Sequence, residues 1–343
     1  MNVLVYGAGA LGSLIGGYMA ASGHRVTLMC RREHADAIRQ DGLELVGPYG
    51  GIRSRPLPVT RLSDVPYAPD VVFLTVRGYQ TEAAAADLAD GVGDSVRVVA
   101  MQNGVGHEQT LAGRLGAGRV VAGAATIGAS LVSPGRVVRH NRGGIGVAPW
   151  QGAEVGDIAR MLAASGLRTR AYRRGVDLKW SKLLLNLVAN ATSAILDMSA
   201  AEIYRDPVAF AIERRMLREA LSVMRTVGAR VVNLPAYPTR LLPSVIAMPS
   251  PLARALLAPR AGAGRGSKMP SLWYDVHQTA RESEVVYLNG AVSRIAREVG
   301  MAAPVNEALT AVLLELLAGG RRREAFWRNP LALAQRIGIS DTI

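Results

Sequence analysis

Residues 3–12 read VLVYGAGALG, and residues 26–32 read VTLMCRR. A short β-branched run, Val3 to Tyr6, leads directly into Gly7, Ala8, Gly9, Ala10, Leu11 and Gly12. An apolar stretch of helical length follows, and then a second β-branched run, Val26 to Met29. Each glycine has a distinct physical duty in a strand–loop–helix unit of this spacing. Gly7 permits the tight turn, Gly9 lets a pyrophosphate approach the backbone, and Gly12 lets the helix pack closely on the sheet. The helix N-terminus then offers N–H groups and a positive dipole end to phosphates. The stretch therefore predicts a dinucleotide loop.

The end of the second strand decides which dinucleotide. A ribose 2′-OH is usually met by an acid at this point, whereas a 2′-phosphate needs cationic donors. Here the chain carries Cys30, Arg31 and Arg32 and no carboxylate. NADPH is the expected cofactor, with Arg31 as the first contact and Arg32 as the second.

Outward from this loop, β-branched runs alternate with helical stretches. Strands are expected near Val3 to Tyr6, Val26 to Met29, Val71 to Thr75, Val96 to Met101 and Val120 to Gly123, with Gly135 to Arg139 and Ile145 to Val147 extending the same sheet. From about Asp177 the pattern turns helical: Leu178 to Asp197, Pro207 to Val227, Ser271 to Val299 and Asn306 to Leu317. The stretch from Pro235 to Pro270 reads as a short helix within a mobile connection. The fold class is thus α/β, a Rossmann-like doubly wound sheet over residues 1–173 followed by a mainly α-helical substrate and catalytic domain over 174–343.

The helix Leu178 to Asp197 is apolar on nearly every side, which predicts burial. Lys182, Asn186 and Asn190 nevertheless recur every fourth residue and form one polar stripe, since each such step drifts only about 40° around a helix. Buried polar groups need partners, so the stripe points to a cleft holding a polar ligand, unless Lys182 snorkels to solvent. Glu284 falls on the apolar stripe of the later helix, between Ala280 and Leu288, and Lys182 is its natural partner unless the acid reaches water at a helix edge.

Composition narrows the class. Hydrophobic residues make up 49% and charged residues 20% of 343 positions, which excludes a disordered chain. The net charge of +13 is spread over scattered arginines with no nucleic-acid-binding motif, so a small anionic ligand is expected and a nucleic acid is not. Only three of the 40 basic residues are lysines, Lys179, Lys182 and Lys268, which hints that at least one needs an ammonium with a tunable pKa. Cys30 is the single cysteine, no long apolar run suggests a membrane span, and the first 21 residues lack the charge pattern of a signal peptide. A cytoplasmic location is expected. His24, His34, His107, His140 and His277 show no metal-site spacing, and no metal is expected.

Together, the loop Gly7 to Gly12, Val76 to Thr81, Gln102 to Gly106, Lys179 to Leu183 with Asn186 and Asn190, Ser271 to Asp275 and Glu284 to Gly290 resemble the ketopantoate reductase family over nearly the whole chain. The resemblance implies NADPH-dependent reduction of 2-dehydropantoate to pantoate, on the path to pantothenate. It implies Lys182 as general acid and Glu284 as its orienting and substrate-binding partner. Asn186, Asn190 and Ser271 would contact substrate, Asn103 would lie between nicotinamide and substrate, and Arg77 would lie near both. A small anionic 2-keto acid is the implied partner, and a homodimer is the assembly considered. Three features depart from the family. Arg77 stands where a lysine is usual, Ala200 stands where some members have another substrate-binding asparagine, and the 235–270 stretch is long with one extra residue between Asp275 and Glu284. A different 2-keto acid or imine as substrate, or a catalytically silent NADPH-binding protein, therefore stays open as an alternative.

Overall fold

The computed structural model describes every residue except 50, 264–268, 278–281, 320–322 and 340–343. The chain divides into two compact units. Residues 1–102, 106–179 and 233–237 form the first, and residues 103–105, 180–232 and 238–343 the second.

The first unit contains β1 (Asn2–Tyr6), α1 (Ala10–Ala21), β2 (Arg25–Met29), α2 (Arg32–Asp41), β3 (Leu43–Val46), β4 (Ile52–Ser54), β5 (Leu57–Val59), β6 (Val71–Leu74), α3 (Thr81–Gly91), β7 (Arg97–Ala100), α4 (His107–Leu115), β8 (Val120–Ala125), β9 (Ala129–Ser133), β10 (Arg136–Arg139), β11 (Ile145–Pro149), α5 (Gly156–Ala164) and β12 (Thr169–Ala171). Its main sheet runs β12-β11-β8-β7-β6-β1-β2-β5 and is parallel except where β11 meets β8. Because β2 and β6 flank β1 on opposite sides, the order reverses at β1, and the glycine loop leaves the C-terminal end of that strand at this switch point.

Burial on both faces explains the continuous apolar runs of these strands. Val3 and Val5 pack with Leu14, Ile15 and Met19 of α1, while Leu4 packs on the other face with Val72, Leu74 and Leu88. The expected strand at 135–139 exists, but it does not extend the main sheet. As β10 it joins a separate sheet of order β4-β3-β10-β9, whose short, partly polar strands carried too little periodicity to stand out.

The second unit is mainly helical. It takes most of α6 (Gly175–Leu187), then α7 (Ala191–Leu196), α8 (Ala200–Arg205), α9 (Pro207–Thr226), α10 (Leu242–Ala247), α11 (Ser250–Ala263), α12 (Ser271–His277), a 3-10 turn at Glu284–Tyr287, α13 (Asn289–Glu298), α14 (Pro304–Leu317) and α15 (Pro330–Arg336). The α/β sheet followed by a mainly helical part is therefore as expected. No helix of the described residues is long and apolar enough to cross a membrane.

Helix α9 starts where its sequence says it should. Asp206 accepts from the N–H groups of Val208 and Ala209 at 2.9 and 2.8 Å, and Pro207 occupies the first turn, where no donor is missed. Its charged side chains then serve neighbouring segments. Arg214 donates to the carbonyls of Ile246 and Met248 at 3.0 and 2.6 Å and to Ser250 Oγ at 2.7 Å, fixing the junction between α10 and α11. The described part of the 235–270 stretch is thus largely helical rather than a connection.

Two expected long helices are interrupted. The run 178–197 breaks at 188–190, where Ala189 takes φ 46, so Asn190 lies beyond the helix that carries Lys182 and Asn186. The released Ala189 N–H donates to Glu213 Oε2 at 2.8 Å, and the hydroxyls of Thr192 and Tyr204 reach the same fully buried carboxylate at 2.6 and 3.1 Å. The run 271–299 divides into α12, the 3-10 turn and α13, which places Glu284 at the start of a tight turn capped by Ser283 rather than on a helical stripe. Ala280 of that stripe lies outside the described residues.

Candidate active site

The glycine loop has the geometry its sequence asked for. Gly7 sits at φ 90, and its N–H and that of Ala8 donate to the Met29 carbonyl at 3.1 and 2.8 Å, which ties the loop to the end of β2. A β-carbon at Gly12 would collide with Thr75 Oγ1 and Val5 Cγ1, whereas one at Gly9 would meet no atom within 4 Å. The open side of Gly9 faces away from packing, and no side chain caps the N-terminus of α1, whose first residues are Ala10, Leu11 and Gly12. A diphosphate fits these features, because backbone N–H groups and space occur together. Arg31 and Arg32, both exposed, stand between β2 and the first turn of α2. Arg77 is exposed as well, at the residue before the 3-10 turn Gly78–Gln80.

Cys30 precedes the arginines. Burial pushes its thiol up to about 11, with Asp36 adding to the effect and Arg39 opposing it, so it stays protonated and is a poor nucleophile at neutral pH.

In the second unit the polar residues form directed chains. Lys182 Nζ can only donate, and it reaches Asn186 Oδ1 at 2.8 Å. This orients the amide, so Asn186 Nδ2 donates to Asn103 Oδ1 at 3.0 Å, and Asn103 in turn presents its Nδ2 as a donor. Lys182, Asn186 and Asn103 are each half-buried. Asn103 owes its position to Gly104, at φ 93. A β-carbon there would strike the Tyr287 carbonyl, so only glycine lets the loop close against the turn that begins at Glu284.

Asn190 serves α12. Its Oδ1 accepts from the Leu272 N–H at 3.1 Å and its Nδ2 donates to Ser271 Oγ at 3.3 Å, leaving one amide hydrogen and the exposed serine hydroxyl for a ligand. Glu284 is 5% exposed, and its N–H and the Ser283 hydroxyl both donate to Asp275 Oδ2, at 3.4 and 2.8 Å. Ala200, at the start of α8, is buried and brings no polar group.

Sequence reasoning missed what Lys179 does. Its ammonium lies 3.0 Å from Glu108 Oε1, both side chains are 1% exposed, and it donates to the carbonyls of Gln102, Gly123 and Ala100 at 2.6, 3.3 and 3.4 Å. It therefore gathers the ends of β7 and β8 and fixes the residue before Asn103. The scarcity of lysine was the one signal, and it did not distinguish this structural ammonium from Lys182. Lys268 lies outside the described residues. Among those residues no cluster of three or more His, Cys, Asp or Glu side chains could hold a metal ion.

Comparison with known proteins places this arrangement in context. The model of ketopantoate reductase PanE/ApbA matches residues 3–152, and that of its C-terminal part matches residues 176–316. A 2-dehydropantoate 2-reductase of Halobacterium salinarum is 32% identical over 311 residues, covering 89% of this chain and 95% of the relative. One from Pyrococcus horikoshii is 28% identical over 328 residues, covering 94% and 100%. Among solved structures, a PanE/ApbA family ketopantoate reductase from Ralstonia eutropha superposes with a TM-score of 0.79 at 26% identity, covering 94% of this chain and all of that one. A D-mandelate dehydrogenase with NADH and anilino(oxo)acetate shares the fold, at TM-score 0.78 and 24% identity, with 93% and 99% covered.

Proposed function

The chain belongs to the ketopantoate reductase PanE/ApbA family, and from that premise we propose that it is an oxidoreductase that reduces 2-dehydropantoate to pantoate with NADPH, a step toward pantothenate. The observation that carries the reading is the chain running from Lys182 through Asn186 to Asn103, which aims an ammonium and an amide donor along one path. When bound, NADPH supplies the hydride that adds to the 2-keto carbon.

Gly7, Ala8, Gly9, Ala10, Leu11 and Gly12 hold the diphosphate against the N-terminus of α1, Arg31 holds the 2′-phosphate with Arg32 in support, and Arg77 adds a further cation. Lys182 Nζ gives its proton to the oxygen that gains charge as the ketone is reduced. Asn186 keeps the ammonium oriented, and Asn103 Nδ2 lies next along the chain as a donor to bound ligand. Asn190 and Ser271 bind the polar groups of the keto acid, and Glu284 orients substrate and Lys182. A positioned acid of this kind contributes about 10²- to 10⁴-fold.

A second reading, a different 2-keto acid, is favoured by Ala200, whose buried methyl brings no polar contact. The D-mandelate dehydrogenase, which has this fold, was solved with anilino(oxo)acetate, a ligand unlike ketopantoate. One experiment separates the readings: NADPH oxidation followed against a panel of 2-keto acids that includes ketopantoate. Ketopantoate as the best substrate by kcat/KM supports the first, another acid supports the second, and no turnover with any member rejects both.

A further inference from the structure

His34 lies in the first turns of α2, 5% exposed, two residues after Arg32. The Gly135 N–H points at its Nδ1 at 2.9 Å. A backbone N–H can only donate, so Nδ1 must carry a lone pair and the ring proton must sit on Nε2. Nε2 is 2.9 Å from the Ser13 hydroxyl, and that hydroxyl lies 3.2 Å from the Ala8 carbonyl. Every role in the chain is thereby fixed: Gly135 donates to His34, His34 to Ser13, and Ser13 to Ala8. Ser13, fully buried in the first turn of α1, also donates its N–H to the Gly9 carbonyl at 2.9 Å, so it is bonded to the loop through both backbone and side chain.

We propose that His34, as the neutral Nε2–H tautomer, is a positioning residue that joins the diphosphate loop at Ala8 to the helix bearing Arg32, so that cofactor affinity depends on its protonation state. The inference rests on the cofactor reading above. A proton added to Nδ1 sets two donors, that N–H and the Gly135 N–H, against each other 2.9 Å apart, and the chain to Ala8 has to rearrange.

The contacts of His34 on both ring nitrogens are uncharged. The ionisable groups on the elements around it are Arg32, Glu33, Asp36, Arg39 and Asp41 of α2, Tyr18 of α1, Cys30 at the end of β2, Glu44 and Arg53 of β3 and β4, and Arg136 beside Gly135. Asp36 is paired with Arg39 and Glu44 with Arg136, and no ion pair to His34 occurs among the described residues. Burial lowers its pKa from 6.5. The neutral form is the one the fold holds, so the effect is absent above that value and grows as pH falls below it.

The test uses the full chain and NADP+, which tolerates acid. Its dissociation constant is measured from pH 8 to pH 5 for the wild type, His34→Gln and His34→Ala. The glutamine amide keeps a donor toward Ser13 and cannot titrate. Titration of the 2′-phosphate itself, with pKa about 6, acts equally on all three proteins and cancels in the comparison. Expected is a wild-type constant that rises about tenfold more over this range than that of His34→Gln, with His34→Ala weak and parallel to His34→Gln. Nitrogen NMR of the ligand-free protein at pH 7.5 reads the tautomer independently and should show Nε2–H. Parallel pH curves for wild type and His34→Gln, or an Nδ1–H tautomer, overturn the inference while leaving the cofactor reading intact. No NADP+ binding by the wild type at pH 8 with the tautomer as expected overturns the cofactor reading, and the inference falls with it.

Discussion

Two ammonium groups on one helix, three residues apart, have different surroundings. Lys179 is enclosed with Glu108 and three carbonyls, whereas Lys182 is half-buried and donates to the Asn186 amide oxygen at 2.8 Å. Replacing Lys179 by Met strands a buried carboxylate, so stability should fall by about 3–5 kcal/mol in urea titration. Removing both charges in Lys179→Met/Glu108→Leu should restore much of it, and an equal loss in single and double variants would contradict the pairing. Lys182→Ala should instead lower kcat by about 10²- to 10⁴-fold while NADPH affinity and melting temperature stay near wild type, as steady-state kinetics and calorimetry would show. The cofactor end has its own residue-scale test. NADPH should bind at least about tenfold more tightly than NADH, about 1.4 kcal/mol, and Arg31→Ala should remove most of that difference in a fluorescence titration. The scarcity of lysine pointed to three residues and the polar stripe singled out Lys182, but the surroundings of Lys179 stayed hidden because its carboxylate lies 71 positions earlier, whereas the amide beside Lys182 is one turn away.

At the scale of elements, the break between α6 and α7 shows where reading by periodicity ends. Residues 183–196 contain neither glycine nor proline and are apolar almost throughout, so the sequence offers no reason to stop a helix there. The reason is Glu213, which lies on another helix and whose buried carboxylate accepts from Ala189, Thr192 and Tyr204. Glu213→Leu would remove the acceptor that three donors share, at roughly 1–3 kcal/mol for each buried donor left unsatisfied, and should destabilise more than Glu213→Gln, which keeps one acceptor oxygen. Chemical denaturation of both variants checks this, and equal stabilities would mean that the break is held by packing instead. The glycine loop was legible for the converse reason. Its constraints are local, with Gly7, Gly9 and Gly12 all inside one strand–loop–helix unit. The second sheet was not legible, since its strands are short and pair across long stretches of chain, Glu44 beside Arg136. Glu284 was found as a buried acid for the wrong reason: burial was read from a helical stripe, while the structure buries it at the head of a 3-10 turn.

For the whole molecule, a net charge of +13 means that every carboxylate lost to acid adds to an existing excess of positive charge. Two carboxylates oppose that trend. Asp157 is lowered to about 2, chiefly by its hydrogen bond to Arg97, and Glu202 to about 2, chiefly by its hydrogen bonds to the Ser199 hydroxyl and backbone, with Arg328 contributing. Both pKa values are depressed in the folded state, so what they contribute is whole above the ordinary values of 3.8 and 4.5 and is lost as pH falls toward about 2. His34 acts in a higher window, because its lowered pKa makes folding favour the neutral ring, and stability declines as pH drops below 6.5. The melting temperature should therefore fall in two stages on acidification, a shallow one beginning near pH 6.5 and a steeper one below about pH 4.5. His34→Gln should flatten the first stage alone, and Asp157→Asn should lower the neutral plateau and shrink the second. Added salt should recover part of the acid loss, since screening weakens repulsion among the arginines more than it weakens the buried contacts of His34. Thermal scans from pH 8 to pH 2 at low and high ionic strength provide the check. A single transition that is unchanged in both variants would show that acid acts through net charge alone and that neither His34 nor Asp157 is held in the fold as the geometry requires.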